Sequence, residues 1–190
     1  ITDLSPLAGL TKLRGLLVHG QDLGGLEALA GLGNLEVLNA HSSGVIDLTG
    51  LSSLTNVSHL YLDGNEISDV APLAGLTQLH ELGLGDNTIA DLGPLAGLSA
   101  LRFLDLSNNS VVDLDPLAGV TSVGLLYLSS NAITDVASLE GLTALSELTL
   151  DGNAGLAGIQ ALLDNPGLGP PVLGPPVSYD DVDLRGTAVP

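Results

Sequence analysis

The chain has 190 residues, of which 22 are Asp or Glu and only 4 are Lys or Arg, so its formal net charge is −18. A surface this acidic repels nucleic acid and anionic lipid, and we expect neither as a partner. The chain contains no cysteine, which excludes disulfide bridges, zinc-thiolate sites and a cysteine nucleophile. No stretch approaches the roughly 18 uninterrupted apolar residues of a membrane span, so direct membrane insertion is not predicted.

A repeat of 22 residues organises most of the chain. The phrase Pro-Leu-Ala-Gly-Leu occurs at 6–10, 72–76 and 94–98, and Pro-Leu-Ala-Gly-Val follows at 116–120. These copies are separated by multiples of 22, and seven consecutive units keep the same register over residues 1–154. Below, the positions within each unit are called places 1 to 22.

Seven places in every unit are aliphatic, namely places 1, 4, 7, 10, 13, 16 and 18, and Ala40 is the one departure from Ile, Leu and Val. Places 16 and 18 alternate as in a short strand, whereas places 7 and 10 are about one helical turn apart. A single unit cannot bury seven apolar side chains, but stacked units can. The pattern therefore predicts an α/β solenoid in which each unit is a strand, a turn, a short helical arc and a turn.

Two polar places mark the corners of the unit. Place 21 is Asn in five units, and an amide offers enough donors and acceptors to satisfy turn backbone in its own and neighbouring units. Place 3 is Asp in six units, where a carboxylate suits the free N–H groups of a short helical turn. Such a ladder of like charges could alternatively hold Ca²⁺. The two sets are Asn65, Asn87, Asn109, Asn131 and Asn153, and Asp3, Asp47, Asp69, Asp91, Asp113 and Asp135.

Residues 101–114, Leu-Arg-Phe-Leu-Asp-Leu-Ser-Asn-Asn-Ser-Val-Val-Asp-Leu, resemble a leucine-rich repeat. The 22-residue length and the phrase I-x-D-L-x-P-L-A-G-L-T resemble the internalin-like class of bacterial surface proteins. This resemblance implies a right-handed leucine-rich-repeat superhelix with a concave parallel β-sheet and short 3-10, α-helical or irregular convex arcs. Gln21, Gly25 and Ser43 depart from the family pattern in the first two units.

The 22-residue register ends after residue 154. We expect residues 155–190 to form a C-terminal capping repeat with a Pro-rich insertion at about 169–178. Val182-Asp183-Leu184 restores the strand pattern twelve residues later than a regular eighth strand would begin it. We expect one domain, and a longer protein in which an N-terminal cap precedes the first unit.

The scarce residue types of the chain fall at places 12, 14, 15, 17 and 19, which we call the concave face. All four His, three of the four aromatic residues and three of the four basic residues occupy these places. Aromatic side chains beside charges are typical of binding surfaces, although strands also tolerate such residues better than tight arcs do. The predicted ligand-binding residues are His59, Tyr61, Asp63, His80, Glu81, Arg102, Phe103, Asp105, Leu125 and Tyr127.

A metal site is a further hypothesis for the first three units. His19 and His41 occupy place 19 of units 1 and 2, and Asp63 occupies place 19 of unit 3. Because adjacent strands lie about 4.8 Å apart, two imidazoles and a carboxylate in one column could converge on Zn²⁺ or a similar ion.

No catalytic signature occurs in the chain, since G-x-S-x-G, H-E-x-x-H and the P-loop motif are all missing. We therefore expect a monomeric, non-enzymatic module without a required cofactor that binds a protein, or alternatively a glycan, on its concave face. The resemblance implies an extracellular or cell-surface location on a bacterium. The alternative is a cytoplasmic leucine-rich-repeat scaffold that regulates another protein.

Overall fold

Eight short parallel strands form one sheet in a computed structural model that describes residues 2–23, 25–168 and 182–183. The strands follow one another in sequence order across the sheet. Neighbouring strands of the repeats pair place for place, so that Gly15 lies opposite Val37 and His59 lies opposite Glu81. The strands are β1 Gly15–Leu17, β2 Val37–Asn39, β3 His59–Tyr61, β4 Glu81–Gly83, β5 Phe103–Asp105, β6 Leu125–Tyr127, β7 Glu147–Thr149 and β8 Val182–Asp183.

Each of the seven repeats also contains a short 3-10 helix on the side of the coil away from its strand. These helices are Ser5–Leu7, Glu27–Leu29, Thr49–Leu51, Ala71–Leu73, Gly93–Leu95, Asp115–Gly119 and Ala137–Leu139. The predicted order of strand, turn, helical arc and turn is therefore confirmed, and the fold is a leucine-rich-repeat solenoid.

The place-3 aspartates start these helical arcs. In all six, the carboxylate oxygen Oδ1 accepts a hydrogen bond from the backbone N–H two residues later, at 2.7–2.9 Å. Asp69, for example, accepts from Ala71, the first residue of its 3-10 helix. The carboxylates thus satisfy N–H groups that a helix start leaves without a partner, as the capping interpretation predicts.

Place 20 adopts a left-handed backbone in every repeat, a feature that the repeat pattern alone did not reveal. Three repeats have Gly there, and the other four have Ser42, Asp86, Asn108 and Ser130 with φ between 50° and 55°. Small polar residues and glycine tolerate this conformation best, so this column turns the chain out of the strand at low steric cost.

The aliphatic places form a continuous core. In repeats 2 to 7 every one of them exposes at most 2 % of its surface. In repeat 1, by contrast, Leu4 and Val18 are buried while Leu7, Leu13 and Leu16 are half-buried and Leu10 is exposed. Among the described residues, repeat 1 packs only against repeat 2, so part of its apolar surface is left in water.

The asparagines of place 21 tie adjacent repeats together. The Asn87 side-chain amide donates to the carbonyl of Leu62 in the preceding repeat at 3.1 Å and to that of Leu84 at 3.0 Å. Its Oδ1 accepts from the Ile67 N–H at 2.9 Å. Asn65, Asn109, Asn131 and Asn153 repeat this pattern, which satisfies buried backbone groups at every rung.

The C-terminal part departs from the repeat. Helix α1, Gln160–Asp164, and a 3-10 helix, Pro166–Leu168, follow the seventh repeat. Strand β8 then pairs with β7, with Val182 opposite Leu148. Val182 stands 34 residues after Leu148, twelve more than one repeat. The predicted Pro-rich insertion at 169–178 lies outside the described residues. Within the described ranges, no helix has the length and apolar character needed to cross a bilayer.

Candidate functional site: the concave face

The strands present two rows of side chains on the concave face. The middle residue of each strand, at place 16, points into the core, while the residues at places 15 and 17 are mostly half-buried on the other side. The alternation follows from the two-residue period of a strand. All ten predicted ligand-binding residues lie on this face, which the structure divides into two groups.

The first group connects β3 to β4. The Tyr61 hydroxyl donates a hydrogen bond to Oε2 of Glu81 on the next strand. The other carboxylate oxygen of Glu81 lies 3.7 Å from Nε2 of His59, whose Nδ1 lies 2.8 Å from the Ser58 hydroxyl. Partial burial and, to a smaller extent, the hydrogen bond to Glu81 raise the pKa of Tyr61 to about 12.

The second group joins β5, β6 and β7. The rings of Phe103 and Tyr127 meet edge to face, with centroids 5.5 Å apart and planes at 88°. The Tyr127 hydroxyl donates to Oε1 of Glu147 at 2.8 Å, and burial together with this hydrogen bond raises the pKa of Tyr127 to about 12. Glu147 was not among the predicted ligand-binding residues, although its place 15, diagonal to Tyr127 across neighbouring strands, was a signal available in the sequence.

Two glycines open a gap between these groups. Strand β4 ends in Gly83, and a Cβ atom placed there would lie 2.4 Å from Oδ2 of Asp63. Asp63 Oδ1 accepts from the Gly85 N–H at 2.9 Å, and a Cβ on Gly85 would lie 3.3 Å from both Asp63 and Asp105. Burial of Asp63 raises its pKa. Glycine at these two positions therefore lets the two carboxylates lean toward each other over β4.

An open depression of about 790 Å³ lies at the N-terminal ends of the middle strands. Six predicted ligand-binding residues line it, namely His59, His80, Glu81, Arg102, Phe103 and Leu125. The other four, Tyr61, Asp63, Asp105 and Tyr127, lie at places 17 and 19 nearer the exit ends of the strands. The structure thus separates a region containing Arg and His from one containing Asp and Tyr.

The two arginines of place 14 differ in their surroundings. Arg14 forms a two-pronged pair with Glu36, with Nε to Oε1 at 2.9 Å and Nη2 to Oε2 at 2.8 Å. The Arg102 guanidinium, at the edge of the depression, makes no hydrogen bond or ion pair with any residue in the described part of the chain.

The predicted metal residues do not form a metal cluster. The rings of His19 and His41 stack face to face, with centroids 4.7 Å apart and an angle of 9° between planes. Asp63 accepts a hydrogen bond from the Gly85 N–H with Oδ1. Across residues 2–23 and 25–168, no group of three or more His, Asp or Glu side chains is arranged to hold a metal ion. The geometry therefore gives no support to the site at His19, His41 and Asp63.

Comparison with known proteins agrees with the stacked-repeat architecture. A family model described as Leucine Rich repeats (2 copies) matches residues 77–119, in agreement with the leucine-rich-repeat fold. No sequence among the curated proteins matches the chain.

Many solved structures share the fold, among them two internalins and a further leucine-rich-repeat protein. An internalin (inlF) from Listeria monocytogenes aligns over 100 % of this chain and 52 % of its own, with 32 % identity and a TM-score of 0.90. An internalin C2 from the same organism aligns over 84 % of this chain and 80 % of its own, with 30 % identity and a TM-score of 0.68. A leucine-rich-repeat protein from Leptospira interrogans aligns over 97 % of this chain and 52 % of its own, with 18 % identity and a TM-score of 0.72.

The chain belongs to the internalin-like leucine-rich-repeat family. It spans about half the length of the inlF internalin and of the Leptospira protein.

Proposed function

We propose that this chain is a non-enzymatic recognition module that binds a protein through the concave face of repeats 3 to 6, on the surface of a bacterium or outside it. The carrying observation is the set of half-buried aromatic side chains, Tyr61, Phe103 and Tyr127, held in place by contacts between neighbouring strands. Aromatic residues that are already fixed lose little conformational freedom on binding, which favours them as anchors. The internalin relatives support the bacterial surface location.

The polar neighbours of these rings add specificity to the proposed surface. Glu81 and Glu147 each hold one tyrosine, so the rings cannot turn away without breaking a hydrogen bond. Asp63, Asp105 and Arg102 surround the rings with charges of both signs, which would orient a partner. A glycan, which would also stack on aromatic rings, is the alternative ligand.

A pair of double variants tests this function. The biotinylated chain is screened against arrays of purified extracellular protein domains and of glycans, and captured ligands are then tested with Tyr61→Ala/Tyr127→Ala. We expect a protein ligand whose capture falls at least about tenfold, because two anchors are lost. The thermal midpoint should shift by only a few degrees, since neither ring belongs to the core.

The matched control is Ile46→Ala/Val112→Ala. These two exposed apolar residues occupy place 2 of the same repeats, outside the strands. Capture should be unchanged. Loss of capture in this control, with retention in the tyrosine variant, would move the binding surface off the concave face and contradict the proposal.

A further inference from the structure

The depression over β3 to β6 has a chemistry unlike the rest of this acidic chain. The net charge is −18, yet Arg102, His80 and His59 are among the residues that line the depression. Phe103 and Leu125 line it as well and supply an apolar surface. A cationic group beside an aromatic surface is a combination that binds an anion attached to an apolar body.

The side chains of Arg102 and His80 are available to a ligand. The guanidinium of Arg14, at the same place of repeat 1, donates two hydrogen bonds to Glu36, whereas Arg102 has no partner among the described residues. The His80 ring makes no side-chain hydrogen bond in the same ranges, and its centroid lies 6.5 Å from that of His59. Donors at a half-open site that are not used within the protein can pair with a ligand without first breaking an internal contact.

Glu81, the one carboxylate among the lining residues, does not pair with the Arg102 guanidinium. Glu81 accepts the Tyr61 hydroxyl with one oxygen and lies 3.7 Å from His59 with the other. Both oxygens of Glu81 therefore face residues of β3. On its other side, Glu81 lies opposite Phe103 of β5, which in turn lies between Glu81 and Leu125 of β6. Gly124 occupies place 14 of the next repeat, beside Arg102, and has no side chain. A Cβ atom at Gly124 would meet no atom closer than 3.4 Å, so the space there is not filled by other residues. The space beside the guanidinium therefore stays open.

From this juxtaposition we infer that the depression is a subsite for an acidic side chain of the protein partner that stands next to an aromatic or large aliphatic one. The carboxylate pairs with Arg102 and His80, and the apolar neighbour packs on Phe103 and Leu125. This inference rests on the proposed function, because it assigns part of the partner's chemistry. The ligand is a protein segment and not a carboxylated sugar, because a sugar would leave the apolar side chains of Phe103 and Leu125 uncovered.

A small probe tests the subsite without knowledge of the partner. Backbone amide shifts of the ¹⁵N-labelled chain are followed by NMR during titration with N-acetyl-phenylalanine in about 150 mM NaCl, which screens long-range repulsion. We expect a Kd of about 1 mM, the strength that a ligand of this size can reach, and shifts concentrated at Arg102, Phe103 and Leu125. N-acetyl-phenylalanine amide, which lacks the carboxylate, should bind at least about fivefold more weakly.

Two variants assign the effect to the guanidinium. Arg102→Gln should weaken binding of N-acetyl-phenylalanine by about fivefold or more, whereas Arg14→Gln should leave it unchanged. Gly124→Val, which fills the open space, should also weaken it. Equal binding of the acid and the amide, equal effects of the two arginine variants, or tighter binding of N-acetylneuraminic acid than of N-acetyl-phenylalanine would each overturn the inference.

These results are independent of partner capture. If the probe does not bind Arg102 while Tyr61→Ala/Tyr127→Ala still abolishes capture, the subsite is wrong and the proposed function stands. If the probe binds as expected while capture does not depend on the tyrosines, the proposed function is wrong.

Discussion

The first repeat and the middle repeats share one pattern of aliphatic places, yet they differ in how far that pattern is buried. Repeats 3 to 6 bury every aliphatic place, whereas in repeat 1 Leu10 exposes 49 % of its surface and Leu7, Leu13 and Leu16 are only half-buried. The difference shows that the burial of a solenoid residue depends on the repeats packed beside its own as well as on its residue type.

The polar residue at place 21 also makes fewer contacts in repeat 2 than in the middle repeats. Asn65 and Asn87 each donate to carbonyls of two repeats and also accept a backbone N–H. The Ser43 hydroxyl, at the same place of repeat 2, only donates, toward the carbonyls of Val18 and His41 at 3.2 and 3.0 Å. The N–H of Leu23, which an Asn at place 21 would satisfy, donates instead to the Ser43 backbone carbonyl at 3.0 Å. Repeat 2 therefore closes its turn with fewer contacts than the middle repeats.

The largest expected effect is a core truncation at the centre of the sheet. Leu82→Ala should lower the free energy of unfolding by about 2–5 kcal/mol, because the fully buried Leu82 side chain would leave a cavity. Leu16→Ala, at the same place of repeat 1, should lower the free energy of unfolding clearly less, because Leu16 is only half-buried and its removal leaves no closed cavity. Urea unfolding followed by circular dichroism measures both. Equal losses would contradict the comparison between the two regions.

The next effect concerns the asparagine ladder. Asn87→Ala would remove the partners of the Ile67 N–H and of the Leu62 and Leu84 carbonyls, and we expect a loss of about 2–3 kcal/mol in the same assay. Asn87→Ser, which copies the residue at position 43, should lose less. If Asn87→Ser were as damaging as Asn87→Ala, the hydroxyl of Ser43 would not be a partial substitute for the amide.

The smallest effect is a change of proton affinity in the middle repeats. The pKa of Tyr127 is raised to about 12 by burial and by the hydrogen bond to Glu147. Because the folded pKa lies above the ordinary value of 10, the corresponding stabilisation is complete below pH 10 and is lost as the pH rises toward 12. Ultraviolet absorbance titration should show one fewer late-ionising phenol in Tyr127→Phe, and Glu147→Gln should bring Tyr127 to a lower pKa.

A control for this titration is available on the other side of the gap at Gly83. Glu81→Gln should lower the pKa of Tyr61, which is also about 12, and leave Tyr127 unchanged. A single shift of both tyrosines in either variant would contradict the separate assignments of Glu81 and Glu147.

The repeat of 22 residues was sufficient to predict the stacked-repeat fold, the core of repeats 2 to 7 and the helix starts, but not the partial exposure of repeat 1. Aliphatic places recur because each one faces the same interior in every turn of the coil, and Asp at place 3 acts on an N–H only two residues away. Both relations are local or periodic, so they can be read from the order of residues. The concave face could be predicted as a surface for the same reason, since strand side chains alternate.

The interactions on that face were decided by the tertiary structure. Arg14 and Arg102 have the same place in the repeat, but the Arg14 guanidinium pairs with Glu36 of the next repeat, whereas Arg102 makes no hydrogen bond or ion pair within the described part of the chain. His19 and His41 share a column, but their rings stack with parallel planes instead of converging on an ion. Such outcomes depend on side-chain rotamers and on the neighbours about 4.8 Å away on adjacent strands, because several arrangements are compatible with one sequence pattern until the strands are stacked.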